Sequence, residues 1–123
     1  MSDRDASAAA DLTPLSPAVF HILLSLAEGE RHGYALKREI AQRTGGRVKL
    51  GPGVLYGSIG KMLELGLIEE SVDRPDPHLD DERRRYYRIT SLGLRVAQAE
   101  TLRLRELVQL ADDSLGSPAP TRA

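Results

Sequence analysis

Apolar residues recur along this chain with a helical period in some stretches and a strand period in others, and the changes of period divide it into segments. Leu15, Val19, Ile22, Leu23 and Leu26 fall on one helical face. Ser16-Pro17 just before them pairs a capping hydroxyl with a proline suited to the first helical turn, so the pattern predicts a helix over 17–28 that ends near Glu28-Gly29. A tight turn from Gly29 to His32 leads into a second helix over 33–44, turned inward by Tyr34, Leu36 and Ile40. Gly45-Gly46 stops it. Arg47-Val48-Lys49-Leu50 alternates charge with apolar side chains, which suits a short strand or an extended linker.

The other segments are organised around Gly51 to Ile68. Leu55, Ile59, Met62 and Leu63 form one buried stripe, Pro52 suits the first turn, and Gly66 is placed to end the helix in a left-handed cap. This predicts a helix over 53–65. Its other face carries Val54, Gly57, Ser58 and Lys61, with Tyr56 at the edge. Each internal glycine costs a helix about 1 kcal/mol relative to alanine, so this is a face that something large approaches closely. A DNA major groove, about 12 Å wide, admits one helix and sets its small and polar residues against base edges and phosphates. Close packing of another protein helix is the alternative.

Two strands follow, over 67–72 and 84–89, with Tyr86 and Tyr87 on opposite faces so that alternation turns one of them inward. Between them, residues 73–83 are rich in proline, aspartate and charge and form a solvated turn. Two helices joined by a turn, then a third helix and a hairpin, make a winged helix-turn-helix domain over 12–90. The expected fold class is therefore mostly α with a small β-hairpin. Thr90 caps a last helix over 91–113 whose apolar stripe is too wide to stand alone; Leu104, Leu107, Val108 and Ala111 are its candidate dimerisation residues. At 1.5 Å per residue this helix is about 33 Å long, more than the domain behind it can cover. Residues 1–11 and 114–123 lack periodicity and are expected to be a disordered tail and a flexible tail.

Composition narrows the chemistry. The 123 residues suit one small domain, and the absence of cysteine excludes disulfides, thiolate metal sites and a thiol nucleophile. His21, His32 and His78 have no metal-ligand spacing, and no serine sits in a nucleophile motif. No catalytic residue, metal or cofactor is expected, and the chain does not read as an enzyme. No apolar run is long enough for a membrane span and the acidic start is unlike a secretory signal, so the expected location is cytoplasmic.

The net charge of −1 conceals a partition. Residues 31–61 carry +6 and residues 62–82 carry −7, while Arg83, Arg84, Arg85 and Arg88 return +4 within six positions. Lys37, Lys49 and Lys61 are candidate phosphate contacts, which set affinity and salt dependence more than sequence preference. Arg83 and Arg84 at the wing are candidates for the minor groove or backbone. For Arg85 and Arg88, salt bridges to Glu69, Glu70 or Asp73 compete with DNA contact. The acidic arm favours a second reading, a winged helix that binds protein and not DNA.

His32-Gly33-Tyr34 with Leu36, Gly53-Val54-Leu55-Tyr56, Leu65-Gly66-Leu67-Ile68, and Arg85-Tyr86-Tyr87-Arg88-Ile89-Thr90 with Gly93 occur here in that order. In these motifs the chain resembles the PadR-like transcriptional regulators, bacterial winged-helix repressors that dimerise through a C-terminal helix. The resemblance implies a homodimer on an inverted-repeat operator in double-stranded DNA, with Tyr56, Ser58 and Lys61 facing DNA and the wing arginines reaching the adjacent groove or phosphates. The family usually has threonine where this chain has Val54, and commonly proline where it has Gly57. Members often sense a small molecule, sometimes an aromatic one, but residues 91–113 offer no aromatic platform, which leaves an aliphatic-lined cavity or no ligand.

Overall fold

The computed structural model describes residues 3–71 and 85–116. Its elements run α1 (Asp3–Ala10), α2 (Pro17–Ala27), β1 (Arg31–His32), α3 (Gly33–Arg43), α4 (Pro52–Leu65), β2 (Ile68–Ser71), β3 (Tyr86–Ile89) and α5 (Ser91–Leu115). Local chemistry sets the helix ends. The Ser16 hydroxyl accepts from the Val19 amide at 3.2 Å, and Pro17 opens α2. Pro52 opens α4, which closes at Gly66 with φ 75°, a left-handed conformation that glycine adopts without strain. The Thr90 hydroxyl accepts from the Gly93 amide at 3.0 Å and starts α5.

The core gathers on α2. Ile22, Leu23 and Leu26 meet Leu36 and Ile40 of α3, Leu55, Ile59 and Met62 of α4, Val96 and Ala97 of α5, and Leu67, Ile68 and Tyr87 around the sheet, all buried. Of the two adjacent tyrosines Tyr87 is the one turned inward, 3% exposed. The stripe predicted for 53–65 is thus the stripe that packs.

The sheet departs from the expected hairpin. It has three antiparallel strands in the order β1-β3-β2, because Arg31 and His32, expected as a turn, pair with Tyr87 and Tyr86. β2 and β3 pair from Ile68–Ile89 to Ser71–Tyr86. Residues 47–50 form no strand; Leu50 is buried and anchors an extended approach to α4. Tyr34, expected inward, is 39% exposed, with the Arg38 guanidinium 5.9 Å from its ring centre.

The ends also differ from expectation. Residues 3–10, expected within a disordered tail, form α1, and Ala9 is 2% exposed where α1 packs against α5. Alanine gives a short helix little side chain to bury, but it lets the two backbones approach and keeps helix propensity high. α5 runs to Leu115, two residues beyond the predicted end. Residues 117–123 and the wing turn 73–83 lie outside the described residues.

Two joints fix α5 to the domain. The Thr90 hydroxyl lies 2.6 and 3.0 Å from the Gly66 and Leu67 carbonyls, and a Cβ on Gly93 would stand 2.0 Å from the Leu67 oxygen. Further along, the 2% exposed Glu100 accepts from the Leu15 amide at 3.1 Å and from Arg103 at 2.6 and 2.9 Å. The Arg103 guanidinium holds this carboxyl below its ordinary range, against burial, which acts the other way. Glu100 thereby ties the segment ahead of α2 to α5.

Candidate nucleic-acid interface

α4 presents its exposed arc through residue spacing. Leu55, Ile59 and Met62 face the core, so Val54, Gly57 and Lys61, three and four apart, turn away from it. Val54 is 55% exposed, Gly57 and Lys61 are exposed, and Ser58 sits half-buried at the edge. A Cβ added at Gly53, Gly57 or Gly60 would meet nothing within 4 Å. No neighbouring part of the described chain therefore requires these glycines, and the strip they leave is open. Among the described residues no helix of this chain packs against them.

Tyr56 has a different place from its companions. It is half-buried, and a Cβ on Gly33 would stand 3.0 Å from both its Cε1 and its Oη. The ring lies over the first residue of α3, so Tyr56 joins α3 to α4. That contact also explains why glycine follows His32. Sequence reasoning misses His32 itself as a working residue: its Nδ1 accepts from the Ala35 amide at 3.1 Å and caps α3, and its ring meets that of Tyr86 edge-on at 5.3 Å. A histidine before Gly-Tyr-Ala at a helix start is the one sequence signal for the cap.

The basic segment sorts into paired and unpaired cations. Arg31 binds Glu39 at 2.9 Å. Arg43 binds Glu39 at 2.7 Å and also Glu28. Among the described residues Lys37, Arg38, Arg47, Lys49 and Lys61 have no carboxylate partner. Lys37 stands half-buried on α3, Lys49 is exposed on the approach to α4, and Lys61 is exposed on α4 itself. The stem of Lys61 helps line a hollow of about 170 Å³ beside Leu12, Leu15 and Leu65. On the sheet, Arg88 binds Glu69 at 2.7 Å and reaches Glu30 at 3.8 Å, and Arg85 binds Glu70 at 3.6 Å. Two acids of the −7 stretch are thus matched by arginines of the returning strand. Arg83 and Arg84 lie outside the described residues.

The candidate dimerisation residues continue the buried stripe of α5 beyond the domain. Leu107 and Val108 are 50% and 59% exposed, Leu104 and Ala111 are half-buried, and Leu104 and Val108 line a groove of about 470 Å³ with Phe20. A second cavity, of about 420 Å³, lies between α1 and α5, lined by Ala9, Ala99 and Leu102 with Arg95 and Arg103. No group of three potential ligands for a metal ion occurs among the described residues, and no described helix is long and apolar enough to cross a membrane.

Comparison with known proteins agrees with this architecture. The model of the family described as "Transcriptional regulator PadR-like family" matches residues 22–99. An uncharacterised protein of Lysinibacillus sphaericus is 30% identical over 97 residues, 76% of this chain and 86% of its own. A PadR family transcription regulator of Clostridium difficile superposes with a TM-score of 0.68 at 20% identity, covering 82% of this chain and all of that one. RosR of H. salinarum gives a TM-score of 0.57 at 26% identity, covering 84% of this chain and 96% of that one. The described fold is the one these two solved structures share, and with its motifs in order and more than half its length matched, the chain belongs to the PadR-like family of transcriptional regulators.

Proposed function

We propose that the protein works as a homodimeric, sequence-specific repressor that binds an inverted-repeat operator in double-stranded DNA, in the cytoplasm. The observation that carries the reading is the exposed arc of α4, where three glycines that no part of the described chain requires lie beside Val54, Ser58 and Lys61, a cation without a carboxylate partner among the described residues. A groove wall or base edge approaching that strip meets little side chain, which is what close reading of the major groove needs. Lys37, Lys49 and Lys61 contact phosphates, and Arg83 and Arg84 bring the wing over residues 73–84 to the adjacent groove or backbone. Pairing of Glu69 and Glu70 with Arg88 and Arg85 lowers the repulsion that an acidic arm offers to DNA, which weakens the protein-contact reading.

Leu104, Leu107, Val108 and Ala111 form the seam with a second copy, which sets two copies of α4 on half-sites about one helical turn apart. The cavity between α1 and α5 falls in the size range of small-molecule sites and is where an effector would sit, between the apolar Ala9, Ala99 and Leu102 and the charged Arg95, Arg103 and Glu106. The test is a gel shift with the protein's own upstream region. The wild type shifts it, and the Lys61→Glu/Arg84→Glu double variant, still folded and dimeric, does not. Equal shifts by the two proteins contradict the proposed interface.

A further inference from the structure

We propose that His32 is a positioning residue for DNA reading, locking the wing to the recognition helix through the start of α3. The inference rests on the repressor reading and adds to it a residue on neither DNA-facing element. Four contacts converge on two adjacent residues. The His32 Nδ1 accepts from the Ala35 amide at 3.1 Å and fixes where α3 begins. Its backbone pairs with Tyr86 in β1–β3, and its ring meets that of Tyr86 edge-on at 5.3 Å. Tyr86 stands two residues after Arg84, at the point where the chain returns from the wing. Next to His32, Gly33 lies under the Tyr56 ring of α4.

The wing's return strand, the cap of α3 and the recognition helix thus meet within two residues. A small residue at 33 lets Tyr56 seat against the α3 start, and an aromatic cap at 32 reaches across to β3. Serine, asparagine or aspartate would cap α3 as well, but none carries a ring that reaches Tyr86. Histidine does both, which is the physical reason to find it at this N-cap. Its role in reading DNA is to hold β3, the strand that follows the wing, against the start of α3 and so in a fixed relation to α4.

The cap and the ring separate experimentally. His32→Ala removes both, while His32→Asn keeps a capping oxygen and removes the ring. Tyr86→Leu removes the ring's partner. The expected result is that His32→Asn, with the cap kept, melts above His32→Ala and below the wild type, yet binds the operator fragment about two- to tenfold more weakly, at most the range that an edge-to-face aromatic pair spans. Hydroxyl-radical footprints of this variant keep the central protection given by α4 and lose the flanking protection given by the wing. Tyr86→Leu has the same effect, and the double variant is no weaker than either single one.

The proposal is overturned if His32→Asn restores both melting temperature and affinity, since the cap alone then explains the residue. It is equally overturned if the single losses add, since His32 and Tyr86 then act apart. A wild type that binds no DNA contradicts the repressor reading itself, and the wild-type lane of the same footprint distinguishes that failure from this one.

Discussion

A carbonyl oxygen 2.0 Å from where a Cβ would stand makes Gly93 the least replaceable residue at the α5 joint. Gly93→Ala forces α5 away from Leu67, and with it the Thr90 hydroxyl from the Gly66 and Leu67 carbonyls. The expected loss is about 3 kcal/mol, at the upper end of overpacking costs because the clash is with backbone, read as a shift in the urea midpoint. Glu100 gives the second residue-scale prediction. Its carboxyl is held below the ordinary range in the folded protein, so the unfolded chain takes up a proton first as pH falls. The stabilisation is complete above the ordinary carboxylate range and is lost as pH falls through the folded value. Glu100→Gln should therefore lower the melting temperature at neutral pH, and the gap to the wild type should close in acid. A gap that stays constant with pH contradicts the assignment. Neither residue announced its role in the sequence. Gly93 stood in a motif without a stated reason, and no pattern in the sequence singles out Glu100, because what each touches is brought from Leu67 and Leu15 by the fold.

At the scale of elements, the helices with chemical punctuation were legible. Ser16-Pro17 and Gly66 mark ends that the structure keeps, and the Leu55, Ile59 and Met62 stripe names the buried face of α4. Elements made by tertiary contact were not. β1 is two residues long, too short to alternate, and exists because β3 offers it an edge; α1 has no apolar stripe and is placed by α5. Hydrophobicity alone turns Tyr34 inward, yet a ring at the rim of α3 is served by Arg38 at its face. Within α4 the open glycines separate stability from binding. Gly57→Ala meets no atom within 4 Å, so it should stabilise the fold by about 1 kcal/mol through helix propensity, while on the proposed reading the added methyl should weaken operator binding. A variant that melts higher and binds as well as the wild type would leave glycine at that position without a role in close approach to DNA.

For the whole molecule, the distribution of charge and apolar surface matters more than either total. A chain of net charge −1 reads as a poor partner for DNA until the ion pairs of the sheet and of α3 are taken out. Lys37 and Arg38 on α3, Arg47 and Lys49 on the approach to α4, and Lys61 on α4 itself are then left without a carboxylate among the described residues. The same holds for α5, whose core stripe runs on past the domain into exposed Leu107 and Val108. The domain with one copy of this helix leaves that surface in water, and in the proposed dimer a second copy covers it. Charge and shape are the two observations on which the proposed dimer, with its paired recognition helices, rests.

The direct test is binding of the purified protein to its own upstream region across a salt series, with the mass of the same sample taken by light scattering. A dimeric repressor gives a species of twice the 13.5 kDa chain mass whose log affinity falls linearly with log salt, with a slope near −0.9 for each phosphate contacted. Replacing Lys37, Lys49 or Lys61 by alanine should each reduce that slope by about one. A dimer with no affinity for this DNA at low salt, or a monomer that binds it, contradicts the dimeric repressor.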